Sequence, residues 1–346
     1  FYISQDGGAN WAAVPNRLSD QFVNCLATDP VNSGILYAGI SGNGIYMSSD
    51  SGIQWTSINS GLDNRYVRCM AVDPQNPTTI YAGFDNRASQ VGGIFKSTNG
   101  GTSWQRLLSS GSVYGLAIDP FDSANLFAYL SGEGLVRSQN HGEFWTYVTI
   151  DVEYLVVPVV AFHPFNQGEL FAGVYGYGLF RSTDGGDSWG QVDDGLDKIY
   201  DIVVDPVNPT VICASGIGGI RLSQDGGSTW NSVHSGLTDL EVSSLAADPV
   251  RGVRFLAGCG YDGVLDLEIS ADLNRDERVD GEDLFILEQY LAEIIPVLPA
   301  GPTAADVNLD GRQDILDVMA LHRLLGGQSA SRSELDVRRL DTPRLP

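Results

Sequence analysis

Short apolar runs bounded by Gly, Pro, Asp and Asn follow one another along residues 1–269, the pattern of β-strands joined by tight turns. One set of four phrases recurs. From Val67 it reads as an apolar strand closed by Asp73-Pro74, a second strand over Thr79 to Gly83, a third over Gly93 to Ser97, and a fourth from Trp104 to Leu108. Asp-Pro breaks the first strand and starts a bend. The same break stands at Asp29-Pro30, Asp119-Pro120, Asp205-Pro206 and Asp248-Pro249, with His163-Pro164 as the one departure. The phrases number six first, six second, seven third and six fourth strands.

Between third and fourth strands lies a polar turn, best seen in Ser182-Thr183-Asp184-Gly185-Gly186-Asp187-Ser188-Trp189. Its copies begin at Ser4, Ser48, Ser97, Ser138 and Ser223, and all six Trp close a copy at spacings of 44, 49, 41, 44 and 41 residues. That spacing is the period of a supersecondary repeat. The Asp or Asn caps its own backbone, the glycines supply positive φ, and the Trp buries a ring under the turn. On these residues the chain resembles the Asp-box (BNR-repeat) β-propellers, which include sialidases, sortilin-type receptors, xyloglucanases and photosystem assembly factors. The resemblance implies an all-β propeller over 1–269, with six blades favoured and a seven-bladed parent as the alternative. Phe1 to Trp11 is expected to close the ring by supplying third and fourth strands to the last blade, leaving the surplus strand Gly263 to Leu267 as a linker or part of a truncated blade.

From Asp272 the pattern changes. Asp272, Asn274, Asp276, Asp280 and Asp283 stand at positions one, three, five, nine and twelve of a loop to which Arg278 adds its carbonyl at position seven. Asp306, Asn308, Asp310, Arg312, Asp314 and Asp317 repeat it 34 residues later. Twelve residues so spaced wrap a hard cation that needs six to eight oxygens, so two Ca²⁺ sites are expected, the second the firmer because Glu277 holds loop position six of the first. An apolar helix is expected after each loop, over 284–295 and 318–325. This pair resembles a bacterial dockerin over 270–326, a small α-helical module that plugs into cohesin domains of extracellular polysaccharide-degrading complexes. Positions ten and eleven, often Ser-Thr in that family, are Gly281-Glu282 and Ile315-Leu316, which leaves the cohesin type open. Residues 327–346 are polar, lack strand or helix period, and are expected to be a disordered tail.

Charge narrows the partners. Residues 1–269 carry 12 basic and 28 acidic groups and residues 270–346 carry 8 and 15, within a net charge of −23; the balance argues against nucleic acid or an anionic membrane as main partner. Cys25 and Cys69 share one position in successive repeats and read as free thiols in small apolar slots rather than a redox pair. No apolar run is long enough to span a bilayer. The chain starts at Phe1 inside a repeat, and is expected to be processed or truncated. The four His form no metal or triad grouping, and no P-loop, Rossmann fingerprint or CxxC motif occurs.

Asp6, Asp50, Asp184 and Asp225 recur once per repeat, whereas a glycosidase needs two differently tuned carboxylates at one place; these acids read as structural. In propellers of this resemblance the Asp boxes lie opposite the binding face, which points to the other loops. Those entering each first strand hold Asp20, Asp63, Arg65, Tyr66, Asp151, Glu153, Tyr154, Asp197, Lys198, Tyr200, Asp239 and Glu241; those between second and third strands hold Asp85, Arg87, Glu133, Tyr175, Tyr177, Tyr261 and Asp262. Tyr66, Tyr154, Tyr175, Tyr177, Tyr200 and Tyr261 are the candidates for stacking on sugar rings. A solvated loop face is the plain alternative. For hydrolysis the candidates are Asp63 with Asp197 or Glu153. No Arg-Ile-Pro opening motif of the sialidases is present, and xyloglucanases resemble the chain in repeat style but carry two propellers. The leading expectation is a secreted, extracellular bacterial binding module that recognises polysaccharide or protein and is anchored through a calcium-dependent dockerin to a cohesin-like domain. A xyloglucanase-like glycoside hydrolase and a non-carbohydrate assembly scaffold are the alternatives.

Overall fold

A computed structural model describes residues 2–268, except 6, 9, 15–16, 19–20, 88–89, 153–155, 234–239, 250–253 and 261–262, together with 336–339. Two short strands, β1 (Tyr2–Ile3) and β2 (Ala12–Ala13), pair with each other. Six four-stranded antiparallel sheets follow in chain order. Blade 1 holds β3 (Val23–Thr28), β4 (Leu36–Ile40), β5 (Gly44–Ser48) and β6 (Thr56–Ser57); blade 2 holds β7 (Val67–Val72), β8 (Ile80–Phe84), β9 (Gly92–Ser97) and β10 (Gln105–Ser110). Blade 3 is β11 (Val113–Ile118), β12 (Leu126–Leu130), β13 (Gly134–Ser138) and β14 (Thr146–Tyr147), and blade 4 is β15 (Val159–Phe162), β16 (Leu170–Val174), β17 (Gly178–Ser182) and β18 (Gly190–Asp193). Blade 5 is β19 (Lys198–Val204), β20 (Ile212–Ile217), β21 (Gly219–Ser223) and β22 (Asn231–Val233), and blade 6 is β23 (Val242–Ala247), β24 (Arg254–Cys259), β25 (Gly263–Glu268) and β26 (Asp336–Arg339).

This is a six-bladed β-propeller. First strands of successive blades lie side by side, β3 with β7 and onward to β19 with β23. Second strands are covered on both faces: every residue of β8, β12 and β16 is buried, Tyr129 keeping 6% exposure. They run apolar without alternation because each blade is covered by a neighbour on either side. The cores therefore lie between blades; one joins Tyr37 and Ile45 of blade 1 to Val67, Ile80 and Phe95 of blade 2.

The turns between third and fourth strands in blades 1 to 5 are tied as their residues predict. Ser182 Oγ accepts the Gly186 N–H at 2.8 Å and donates to Asp184 Oδ1 at 2.8 Å, while that oxygen accepts the Ser188 N–H at 2.9 Å. Gly185 and Gly186 hold φ of 76° and 93°. The second glycine has a further reason: a Cβ on Gly186 would lie 2.4 Å from Phe127 Cζ of the preceding blade, and one on Gly227 would lie 2.6 Å from Phe171 Cε1. Trp189 packs edge-on against the same Phe127, and Trp230 against Phe171. The turns thus fasten each blade to the one before it.

The ring closes differently from the sequence expectation. β1 and β2 do not supply strands to blade 6, because β25 is its third strand and β26 pairs with β25 from Leu265↔Arg339 to Glu268↔Asp336. The surplus strand is thereby used, and part of the tail expected to be disordered forms a strand edge. The β1–β2 turn instead docks on blade 6, where Arg254 donates to the Gly7 carbonyl at 2.7 Å. Leu18, just beyond β2, is buried with Ala38, Ile40 and Trp55 of blade 1. The loops expected to bind calcium, from Asp272 to Asp317, and the helices expected after them lie outside the described residues.

Candidate functional site

In an antiparallel blade the first-to-second and third-to-fourth connections share one face, and the remaining connections share the other. The Ser-x-Asp turns accordingly lie opposite the loops that hold the candidate site residues. The bends after the first strands belong to the turn face and are structural: Asp205 Oδ1 accepts the N–H groups of Val207 and Asn208, both at 2.7 Å. His163 does the same work with Nδ1, at 3.2 Å from Phe165 N and 3.0 Å from Asn166 N, while Nε2 lies 3.0 Å from the Pro209 carbonyl. These contacts make Nδ1 the acceptor and Nε2 the donor.

On the loop face the first strands carry a feature that sequence reasoning missed. In five blades the register slips by one residue near this end, between Val23/Cys25, Val67/Cys69, Val113/Gly115, Ile199/Asp201 and Val242/Ser244. Each slip leaves one extra residue, namely Asn24, Arg68, Tyr114, Tyr200 or Ser243, on the innermost strand. A bulge re-aims a side chain out of the ladder. Three of these reach the next blade: Asn24 Nδ2 donates to the Val67 carbonyl, Arg68 lies over the Tyr114 ring at 4.6 Å, and Tyr200 Oη donates to Glu241 at 3.0 Å.

Blade 3 departs from the others here. Opposite the slot residue of the first strand, the second strand carries Gly39, Gly83, Gly173 and Gly258 in blades 1, 2, 4 and 6, facing Cys25, Cys69, Val159 and Ser244. Blade 3 inverts the sizes, with Gly115 facing Tyr129. A Cβ on Gly115 would lie 2.7 Å from the Pro158 carbonyl oxygen of the next blade; the Tyr129 ring lies 6.3 Å from Tyr114 and lines an open cleft of about 370 Å³. Burial, aided by Tyr114, pushes the Tyr129 phenol up. The cleft is completed by the Gly132-Glu133-Gly134 turn, Leu135, Tyr147 to Thr149, and Val156. Side chains would have open space at both glycines, and Tyr147 is 70% exposed. Glu133 accepts from Ser110 Oγ at 2.5 Å and from the Gly111 N–H at 3.2 Å. The arrangement is a shallow aromatic trough with one carboxylate on its rim.

The expected site residues are dispersed around this face. Tyr66 lies under Arg87 at 5.3 Å. Tyr175 is half exposed, and Tyr177 is drawn into the core between blades 3 and 4. Tyr200 is stacked with Lys198 Nζ at 4.7 Å. Asp63 is an exposed carboxylate ion-paired with Arg106. Asp197 is exposed, and its backbone carbonyl accepts the Gly176 N–H at 2.7 Å. Asp63 precedes blade 2 and Asp197 precedes blade 5, and among the described residues no hydrogen bond or ion pair joins them. Glu153, Tyr154 and Tyr261 lie outside the described residues, as do the twelve positions expected to hold calcium. Among the described residues no group of three or more His, Cys, Asp or Glu is placed to hold a metal ion, and no helix is long and apolar enough to cross a membrane.

Residues 270–326 match the Dockerin type I domain. Domains of that type bind cohesin partners, typically bind calcium, and occur in extracellular polysaccharide-degrading complexes. An ancestral GH74 enzyme shares the propeller fold with a TM-score of 0.60 at 23% identity, over 77% of this chain and 37% of that one. The GH74 enzyme of Niastella koreensis gives 0.59 at 19% identity, over 71% and 43%, and YCF48 bound to D1 peptide gives 0.55 at 18%, over 74% and 81%. At such identities the likeness is one of fold, and the chain spans less than half the length of the two GH74 enzymes. No curated protein matches.

Proposed function

We propose that this chain is a secreted bacterial binding module of the Asp-box (BNR-repeat) type, whose loop face takes a polysaccharide and whose dockerin tethers it to a cohesin-like domain. The observation that carries the reading is the trough on blade 3: an exposed Tyr147 and a buried Tyr129 beside glycines that keep its floor open, with Glu133 as hydroxyl acceptor. Sugar rings present C–H faces to aromatic rings and hydroxyls to carboxylates. The calcium loops offer only oxygen donors, from Asp272, Asn274, Asp276, Arg278, Asp280 and Asp283 and from Asp306, Asn308, Asp310, Arg312, Asp314 and Asp317, which suits Ca²⁺ at two sites. Calcium supplies the fold of that module rather than chemistry on a substrate. Tyr66, Tyr175 and Tyr200 extend the candidate contacts around the same face, while Tyr154 and Tyr261 lie outside the described residues and Tyr177 packs against the core.

The fold shared with GH74 enzymes supports a second reading, a glycoside hydrolase using Asp63, Glu153 or Asp197. Affinity electrophoresis of the full chain in plant and algal polysaccharides tests the first. Retardation in at least one, lost in Tyr147→Ala, is expected; free migration in all of them sinks the binding reading. Reducing-end release that disappears in Asp63→Asn would establish the hydrolase in its place.

A further inference from the structure

In a chain of net charge −23, two guanidinium groups meet on the loop face beside the trough. Asp85, 5% exposed, accepts Arg68 Nη2 at 3.0 Å and Arg87 Nε at 2.8 Å, and its other oxygen accepts the Ser112 hydroxyl. Burial alone would raise this carboxyl, but Ser112 and the two arginines outweigh it and hold it below the usual range. One carboxylate therefore faces two permanent cations, which leaves a local charge of about +1. Arg68 is stacked on Tyr114 and Arg87 on Tyr66, at 4.6 and 5.3 Å. Stacking and the shared carboxylate fix both planes. The terminal amino groups of Arg87 and Arg68 Nη1 have no acceptor among the described residues, and Arg87 is 53% exposed.

The platform is rigid underneath. Asn64, fully buried, donates to the carbonyls of Asp85 and Val91 and accepts the Tyr66 N–H at 2.8 Å. It is also continuous with the trough. Tyr114 touches Tyr129, and the 110–112 segment binds Asp85 through Ser112 at one end and Glu133 through Ser110 and Gly111 at the other.

We infer that the polysaccharide taken by this face is an acidic one: a sugar ring rests on Tyr147 and Tyr129 while a uronate carboxylate meets the outward edges of Arg68 and Arg87. The planar fork of arginine matches a carboxylate in two parallel hydrogen bonds. This rests on the polysaccharide-binding reading and narrows it to a substrate class. A peptide carboxylate would satisfy the same arginines, but it would leave the open aromatic trough without an occupant.

Calorimetry on the full chain decides the matter, using oligogalacturonate, glucuronate-bearing xylo-oligosaccharide and oligomannuronate, each against its carboxyl-reduced counterpart. At least one acidic oligomer is expected to bind about tenfold tighter than its neutral partner, the order of one charge-assisted contact, with the advantage shrinking in added salt. Arg87→Gln, which leaves Asp85 paired with Arg68 and Ser112, should erase most of that preference and spare neutral binding. If that variant melts early, Arg68→Gln and Arg87→Gln combined with Asp85→Asn remove both cations together with their shared carboxylate and supply the same readout without a stranded buried charge. Tyr147→Ala should weaken both members of a pair. Equal binding of acidic and neutral partners, or a preference that survives both arginine variants, overturns the inference and leaves polysaccharide binding standing. Binding of neither overturns the inference; free migration in every polysaccharide, or binding of a free peptide carboxylate alone, overturns the polysaccharide reading as well.

Discussion

Ser182 stands where a buried strand end meets an exposed turn, and its hydroxyl answers both sides. It is 1% exposed, accepts a backbone N–H and donates to Asp184, so one side chain closes the turn at its base. In Asp184 the Ser188 hydroxyl and N–H, then Ser182, stabilise the ionised carboxyl and lower it; in Asp50 the Gln54 N–H and Ser48 do the same. The sign of the linkage follows. A carboxyl lowered on folding adds stability above the unfolded value of about 3.9 and loses it as pH falls through that range toward the folded value. Asp201 has the opposite sign, because burial raises it, and its contribution is lost as pH rises above the same value. Asn99 shows what the turn needs: it takes the Ser97 hydroxyl and the Ser103 N–H, both at 2.9 Å, without titrating. Asp184→Asn should therefore melt near the parent at pH 7 and lose less on acidification to pH 3, as followed by circular dichroism. Equal acid sensitivity would show that the turn carboxylates do not contribute. These roles were legible in the sequence because their partners lie within a few residues. The bends after the first strands were equally local, and His163 differs only in using a ring nitrogen where Asp uses an oxygen.

At the scale of the element, the slot between first and second strands is a size exchange. A Cβ on Gly83 would stand 2.5 Å from Cys69 Sγ and 2.7 Å from Val113 Cγ1 of the next blade. Overpacking of this kind costs about 1–3 kcal/mol. Gly83→Ala is expected to lower stability by that amount in denaturant titration, with the loss eased but not removed in Gly83→Ala/Cys69→Ala, since Val113 still clashes. Full rescue by the second change would place the whole strain on the thiol. All four cysteines are free, and burial pushes the Cys25 thiol up to about 12, so these are packing groups, in keeping with the sequence reading. The bulges were not legible. A register slip is decided by the partner strand, and nothing local to Val67-Arg68-Cys69 announces that Arg68 leaves the ladder. The inversion at Gly115 and Tyr129 did leave a trace, since Leu126 to Leu130 lacks the glycine of Ile80 to Phe84, but its meaning depends on which residue stands opposite.

On the scale of the whole molecule, the dockerin match occupies the connection between β25 and β26, at the position where the other blades carry their Ser-x-Asp turn. The strand ends that flank this connection meet at Glu268↔Asp336. Deleting 336–346 strips blade 6 of its fourth strand and leaves the backbone of β25 unpaired, an edge that invites association. Thermal unfolding with light scattering should show a lower midpoint and earlier aggregation than the full chain; an unchanged profile would mean that β26 adds nothing to the ring. The sequence by itself determined the repeat, the turn chemistry, the blade strands and the oxygen-rich loops, because periodicity and capping act between residues close in the chain. Tertiary structure alone decided which segments complete blade 6, which side chains the bulges turn outward, and that Arg68, Arg87, Tyr114, Tyr129 and Tyr147 form one surface. Those are contacts between segments far apart in the chain, within a blade and between blades, and their geometry exists only once strands and blades stand side by side.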